Sequence, residues 1–199
     1  MKVQLEKTFA LPASEDAAWT LLSDIERVAG CMPGARITEH VDGSHYKGTI
    51  AVKFGPASMS FRGEVTVVAL DPASRTLRLA GKGTDTTGSS GASMDLTARV
   101  EAVDASSSRL SGSSEVTVSG KAAAFGARMM GSVADQVLKQ FGDNFAVQVQ
   151  ALQAQAPAAP GQAAAAPAPP PDQNQLNGLA LAWAVIKEWL RSLFTAKRA

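Results

Sequence analysis

At 199 residues, with 19 basic against 18 acidic side chains and a formal charge of +1, the chain has length for one domain plus an appendage and lacks the excess positive charge of a general nucleic-acid binder. Its single cysteine, Cys31, excludes an intrachain disulfide. The N-terminal MKVQLEKTFALP alternates instead of forming a signal-peptide apolar run, and no stretch of 18 or more uncharged apolar residues predicts a membrane span, so the expected location is cytoplasmic.

Val3, Leu5, Lys7 and Phe9 alternate with more polar neighbours, which predicts a strand over residues 2–10, stopped by Pro12. Ser14 is placed to N-cap a short helix with Glu15 and Asp16 in its first turn and Trp19, Leu21 and Leu22 in its body. Ile25 to Ala29 predicts a second short helix, closed by Gly30. Strands then follow in series. Residues 35–41 and 45–54 flank the turn Asp42-Gly43-Ser44. Residues 58–70, 75–82, 93–103 and 109–119 continue the pattern, with GTDTTGSSG (83–91) expected as a loop. Short turns between long neighbouring strands predict an antiparallel, strongly curved sheet.

From Lys121 to about Leu152 the period becomes helical, with Phe125, Met129, Val133, Val137, Phe141, Phe145 and Val149 recurring mainly every fourth residue. Residues 153–175 are then rich in alanine, glutamine and proline and read as a tether with a reach of up to about 70 Å. Residues 176–199 close the chain with an amphipathic helix. Leu179, Trp183, Ile186, Trp189, Leu190, Leu193 and Phe194 share one half of its wheel, while Lys187, Glu188 and Arg191 fall on the other. Its longest charge-free apolar run, Gly178 to Ile186, is half a bilayer thick, so Lys187 and Glu188 would sit near mid-membrane in a spanning pose. Lying in the interface, with its tryptophans and cations at headgroup level, the helix avoids that penalty. Packing back on the parent domain, or docking in a groove on a partner, are the other readings of the same face.

A strand, two short helices, about six antiparallel strands and one long helix form the helix-grip order, an α+β architecture in which a curved sheet wraps the last helix. Such a pair meets at one end and diverges at the other. The lining expected of the resulting cavity is Phe54, Met59, Phe61, Leu79, Met94 and Leu96 from the sheet and Phe125, Met129, Val133 and Val137 from the helix. Gly48, Gly63, Gly81, Ala98 and Gly112, at or near inward positions, would enlarge it. The same residues would equally serve an ordinary filled core.

Catalytic and metal chemistry finds little support. Cys31 lacks a base nearby in sequence and precedes Pro33-Gly34, which points to a packed structural thiol. His40 and His45 are five apart, hence on opposite faces of an alternating segment, and no ligand pattern completes a metal site. Ser89, Ser90 and Ser106 to Ser108 read as solvated turn residues. Arg62, Arg78 and Arg99 fall on outward faces, and Arg128 is placed to reach the cavity mouth.

The blocks Val28-Ala29-Gly30-Cys31-Met32-Pro33-Gly34-Ala35, Tyr46-Lys47-Gly48, Val52-Lys53-Phe54-Gly55-Pro56 and Phe61-Arg62-Gly63 resemble the CoxG family of carbon monoxide dehydrogenase subunits, a branch of the START-like (polyketide cyclase/SRPBCC) superfamily. The resemblance covers roughly residues 1–150. It implies an accessory protein of a CO dehydrogenase-type molybdenum hydroxylase, linking that enzyme to the inner face of the cytoplasmic membrane. It also implies a hydrophobic small molecule in the helix-grip cavity, and together these suggest a respiratory quinone, menaquinone or ubiquinone. A START-like cyclase or hydratase acting on an aromatic substrate would need an acid–base pair inside the cavity. A ligand-free recruitment factor would have a filled one. The expected organisation is a ligand-binding domain at 1–152, a linker at 153–175 and a membrane-associating helix at 176–199.

Overall fold

The computed structural model describes residues 1–54 and 57–155. The expected tether, beyond Gln155, and the expected terminal helix, with Leu179, Trp183, Ile186, Trp189, Leu190, Leu193 and Phe194, lie outside the described residues.

Strand β1 (Lys2–Leu11) leads into helices α1 (Glu15–Leu22) and α2 (Ile25–Cys31). Six strands follow: β2 (Ala35–His40), β3 (His45–Phe54), β4 (Ala57–Asp71), β5 (Thr76–Asp85), β6 (Ser90–Ala102) and β7 (Ser108–Gly120). A single 3-10 turn, Lys121–Phe125, precedes the 30-residue helix α3 (Gly126–Gln155). All seven strands form one antiparallel sheet in the order β1-β7-β6-β5-β4-β3-β2. The chain thus runs up and down from β2 to β7, and β1 closes on β7.

Local chemistry sets the helix starts. Ser14 caps α1 by accepting from the Ala17 N–H at 3.3 Å, and Asp24 caps α2 by accepting from the Arg27 N–H at 3.1 Å. Gly30, expected to close α2, lies inside it; the helix runs on through Cys31, and the left-handed residue is Gly34, with φ +78°. A side chain at Gly34 would strike the Ala51 carbonyl of β3, so both its backbone angle and its surroundings require glycine there.

The packed core sits at one end, which we call the lower end. There α1, α2 and the C-terminal half of α3 cover the sheet with Trp19, Leu21, Leu22, Phe141, Phe145 and Val149 against Leu11, Leu77, Val100 and Leu110. Phe141 meets Phe9 edge-on, with ring centroids 6.0 Å apart. Gly142 lets α3 approach at that point, since a Cβ there would collide with the Phe9 ring. Asn144 Nδ2 donates to the Cys31 carbonyl at 2.9 Å and ties α3 to the end of α2.

Three sequence expectations are corrected at the β5–β6 and β6–β7 turns. The loop expected over 83–91 contracts to four residues, because β5 runs to Asp85 and β6 begins at Ser90. The Asp85 carboxylate holds this short turn: it accepts from the Ser90 N–H at 2.7 Å and from Thr87 Oγ1 at 2.5 Å. Ser90 and Ser108, expected as solvated, are buried. Ser90 Oγ accepts from the Ala122 N–H at 2.9 Å, and Ser108 Oγ donates to the Ala13 carbonyl at 2.8 Å. Each hydroxyl satisfies a buried backbone group that the sheet ladder cannot reach.

Candidate ligand-binding groove

Residues facing α3 follow from strand register. Leu5, Ser114, Leu96, Leu79 and Val67 form one row across five strands; Val3, Val116, Met94, Gly81, Val65 and Tyr46 form the next row toward the upper end. Beyond them, Phe61 pairs with Ile50, and Met59 with Val52. α3 packs closely against β1, α1 and α2 and reaches β3. Its buried residues, Phe141, Gly142, Phe145 and Val149, all lie in its C-terminal half.

Burial differs between the two ends of the sheet. Leu79 is buried in the core, and Leu96 and Val67 of the same row pack against it, so this row is the floor of the groove. Above it Met59, Phe61, Met94 and Val116 on the sheet, and Phe125, Val133 and Val137 on the helical side, are only half-buried. Met129 is 41% exposed. An apolar strip of this size, left short of full burial between a sheet and a helix, suits an oily guest. Of the ten residues expected to line a cavity, Leu79 is thus buried in the core, Leu96 packs against it, Met59, Phe61, Met94, Phe125, Val133 and Val137 are half-buried, and Met129 is exposed. Phe54 ends β3, and its side chain is outside the described residues.

The inward glycines divide into two kinds. Gly48, Gly63 and Gly83 stand side by side on β3, β4 and β5. A Cβ on Gly48 would lie 2.6 Å from the Arg36 carbonyl oxygen, and one on Gly63 would strike the Lys82 carbonyl. These glycines crease the sheet and do not enlarge the space, which corrects the expectation for Gly48 and Gly63. Gly81 and Gly112 leave room. A Cβ on Gly81 would meet Met94 Cε at 3.5 Å, and one on Gly112 would meet Leu96 Cδ1 at 3.9 Å.

Charge is divided between the two ends. At the lower end three hairpin turns are each built on an aspartate. Asp42 accepts from the Ser44 N–H (2.8 Å), Asp71 from the Ala73 N–H (2.9 Å) and Asp104 from the Ser106 N–H (2.8 Å). These bonds and neighbouring hydroxyl or imidazole donors hold all three carboxyls below the usual carboxylate range, Asp104 at about 2. Glu15, Asp16 and Asp24 add to this end; Arg75, at φ +52°, pairs with Asp16 and lies over the Trp19 ring at 5.9 Å. At the upper end the turn acid Asp85 is buried and Lys2 is paired with Glu115 at 2.7 Å, while Lys53, Lys121 and Arg128 are also exposed. None of these three makes an ion pair among the described residues.

The other candidates are placed as follows. Cys31 is fully buried and burial pushes its thiol up to about 11, so the thiolate is absent at neutral pH. His40 stacks on Tyr46 at 4.4 Å and lies 3.7 Å from Glu26, while His45 pairs with Asp42 at 2.8 Å. No metal-binding cluster occurs among the described residues. Arg62, Arg78 and Arg99 are exposed on the outer face. That face carries an alternating ladder, Glu39, Lys47, Glu64 and Lys82, with ion pairs of 3.1 and 2.8 Å. Its two open polar depressions, of about 510 and 400 Å³, belong to the outer surface and not to the groove. Sequence reasoning missed Lys7 and Asp135, which pair at 2.8 Å between β1 and α3 beside the groove floor; both lay at helix- or sheet-facing positions but are far apart in the chain.

Comparison with known proteins agrees with this geometry. Among curated protein sequences none matches the chain. A conserved protein from Geobacillus kaustophilus superposes with a TM-score of 0.67 at 18% identity, covering 75% of this chain and 96% of that one. The Zhui aromatase/cyclase from Streptomyces sp. R1128 gives 0.57 at 16% identity, over 75% and 94%. A START superfamily protein from Mycobacterium smegmatis gives 0.52 at 17%, over 75% and 98%. At these identities the likeness is one of fold: a START-like helix-grip, as the order of elements predicts. The family model for CoxG, a carbon monoxide dehydrogenase subunit, matches residues 8–150, from β1 to the end of the packed part of α3, and the chain belongs to the CoxG family.

Proposed function

We propose that this protein is a non-enzymatic accessory protein that holds a respiratory quinone, menaquinone or ubiquinone, in the groove between the sheet and α3. In this reading it also links a CO dehydrogenase-type molybdenum hydroxylase to the inner face of the cytoplasmic membrane. The observation that carries the carrier role is the half-buried apolar strip of Met59, Phe61, Met94, Val133 and Val137, flanked by glycines with room beside them. Quinones with isoprenoid tails are nearly insoluble, each CH₂ removed from water being worth about 0.8 kcal/mol. A soluble dehydrogenase therefore needs a shielded route to them.

Family membership supports the enzyme partner. Two features support the membrane partner: the exposed cations Lys53, Lys121 and Arg128 at the upper end, and the apolar half-wheel that the sequence predicts over residues 176–194, with its tryptophans. No helix among the described residues is long and apolar enough to cross a membrane.

Organic extraction of the full chain purified from membranes, followed by mass spectrometry, tests the proposal. A quinone at near one per chain is expected. Protein that still sediments with membranes yet yields no extractable lipid would remove the carrier role and leave recruitment alone.

A further inference from the structure

One polar atom on the groove side of the sheet is unexplained by the fold. Ser114 lies on the inner face of β7, between Val116 and Gly112, with Leu5 of β1 and Leu96 of β6 directly across from it. Its hydroxyl oxygen is sealed from solvent and has no hydrogen-bond partner among the described residues; no other buried side-chain oxygen or nitrogen there is left so. Ser90 and Ser108, the buried serines nearer the ends of the same sheet, each satisfy a backbone group. A buried hydroxyl left without a partner destabilises the fold relative to alanine, so its presence calls for another role.

Space adjoins it. Gly112 carries no side chain on the same face, and Leu96 Cδ1 leans over the position, 3.9 Å from where a Cβ would be. Leu96 and Leu5 beside it are half-buried, and displacing a leucine methyl needs a change of rotamer and not of backbone. The rest of the row is Leu79 and Val67, without charge. A carboxylate set there would be desolvated with no cation of its own, because the nearby Lys7 is already paired with Asp135. One neutral donor in an apolar wall suits one neutral acceptor.

We infer that Ser114 is the hydrogen-bond anchor of the groove, donating from its hydroxyl to a neutral carbonyl oxygen on an otherwise apolar guest and discriminating against hydrocarbons and carboxylates of the same shape. This rests on the proposal that the groove holds a carbonyl-bearing lipid, and it names the residue that reads the carbonyl.

The test uses the full chain and a matched pair of probes, menadione and 2-methylnaphthalene, which share a ring frame and differ in the two carbonyl oxygens. Titration calorimetry on the parent protein should show menadione binding about tenfold more tightly. Ser114→Ala should abolish that preference while leaving 2-methylnaphthalene unchanged and the unfolding temperature no lower. Ser114→Thr, which keeps the hydroxyl, should retain it. An unaltered preference in Ser114→Ala, or 2-naphthoate binding more tightly than menadione, overturns the anchor but leaves the groove as a binding site. A parent protein that binds neither neutral probe overturns the groove reading itself, and the anchor with it.

Discussion

Ser90 and Ser108 are small polar residues inside an apolar fold, and each is there because a backbone group needs it. Ser90→Ala strands the Ala122 N–H and should lower stability by about 1–3 kcal/mol in urea unfolding, whereas Ser106→Ala, on an exposed turn, should change it by a few tenths. Cys31 follows the opposite logic. Its thiol is held neutral by burial, so native protein should resist alkylation by iodoacetamide at pH 8 and react fully once unfolded in urea. Labelling of the native chain at the unfolded rate would contradict that placement. The turn aspartates set the acid response. Asp42, Asp71 and Asp104 titrate lower folded than unfolded, so their stabilising contribution is complete above about pH 4 and is lost as pH falls through the folded values, near 2 for Asp104. Unfolding temperature should drop between pH 4 and pH 2, and Asp104→Asn should make that drop shallower.

Among the elements, β4 and β5 carry the largest demands. The row Gly48, Gly63 and Gly83 lets three strands crease so tightly that the carbonyls of Arg36 and Lys82 occupy the places of side chains. Gly81, one row below Gly83, has the flexible end of Met94 as its nearest neighbour, at 3.5 Å, and no atom closer. Gly63→Ala should therefore unfold at a markedly lower temperature, or fail to accumulate, while Gly81→Ala folds normally and narrows the groove. Thermal melts of the two variants side by side check the distinction, and equal melting temperatures would refute it. α3 is divided in a similar way. Its C-terminal half, from Phe141 to Val149, is structural, whereas Met129 to Val137 holds no buried residue. The left-handed Gly120 and Gly126 on either side of the 3-10 turn set the direction in which α3 leaves β7.

At the scale of the described domain, the lower end is packed and acidic and the upper end carries exposed cations. Under the proposed function this polarity turns the groove mouth toward anionic headgroups. A triple charge reversal at Lys53, Lys121 and Arg128 should weaken sedimentation with anionic vesicles by about tenfold in low salt, with the difference fading as salt is raised. Neutral vesicles should show no difference.

Much of this was legible in the chain itself. Alternation in β1 to β7, the period change after Lys121 and the Ser14 cap are local patterns written in neighbouring residues, so they predicted the helix-grip order, and the Cys31-Met32-Pro33-Gly34 block carried the family. Tertiary structure decided what depends on distant partners. Asp85 shortened the β5–β6 loop through contacts with Thr87 and Ser90 that loop composition does not reveal. Lys7 and Asp135 meet only because α3 crosses β1. Gly63 and Gly81 look alike in sequence, yet one is pressed by a carbonyl and the other could carry a Cβ at ordinary contact distance, and Ser114 stands out only once every other buried hydroxyl among the described residues is seen to have a partner. Period and turn chemistry act over a few residues, whereas close approach and hydrogen-bond satisfaction are properties of surfaces brought together from across the chain.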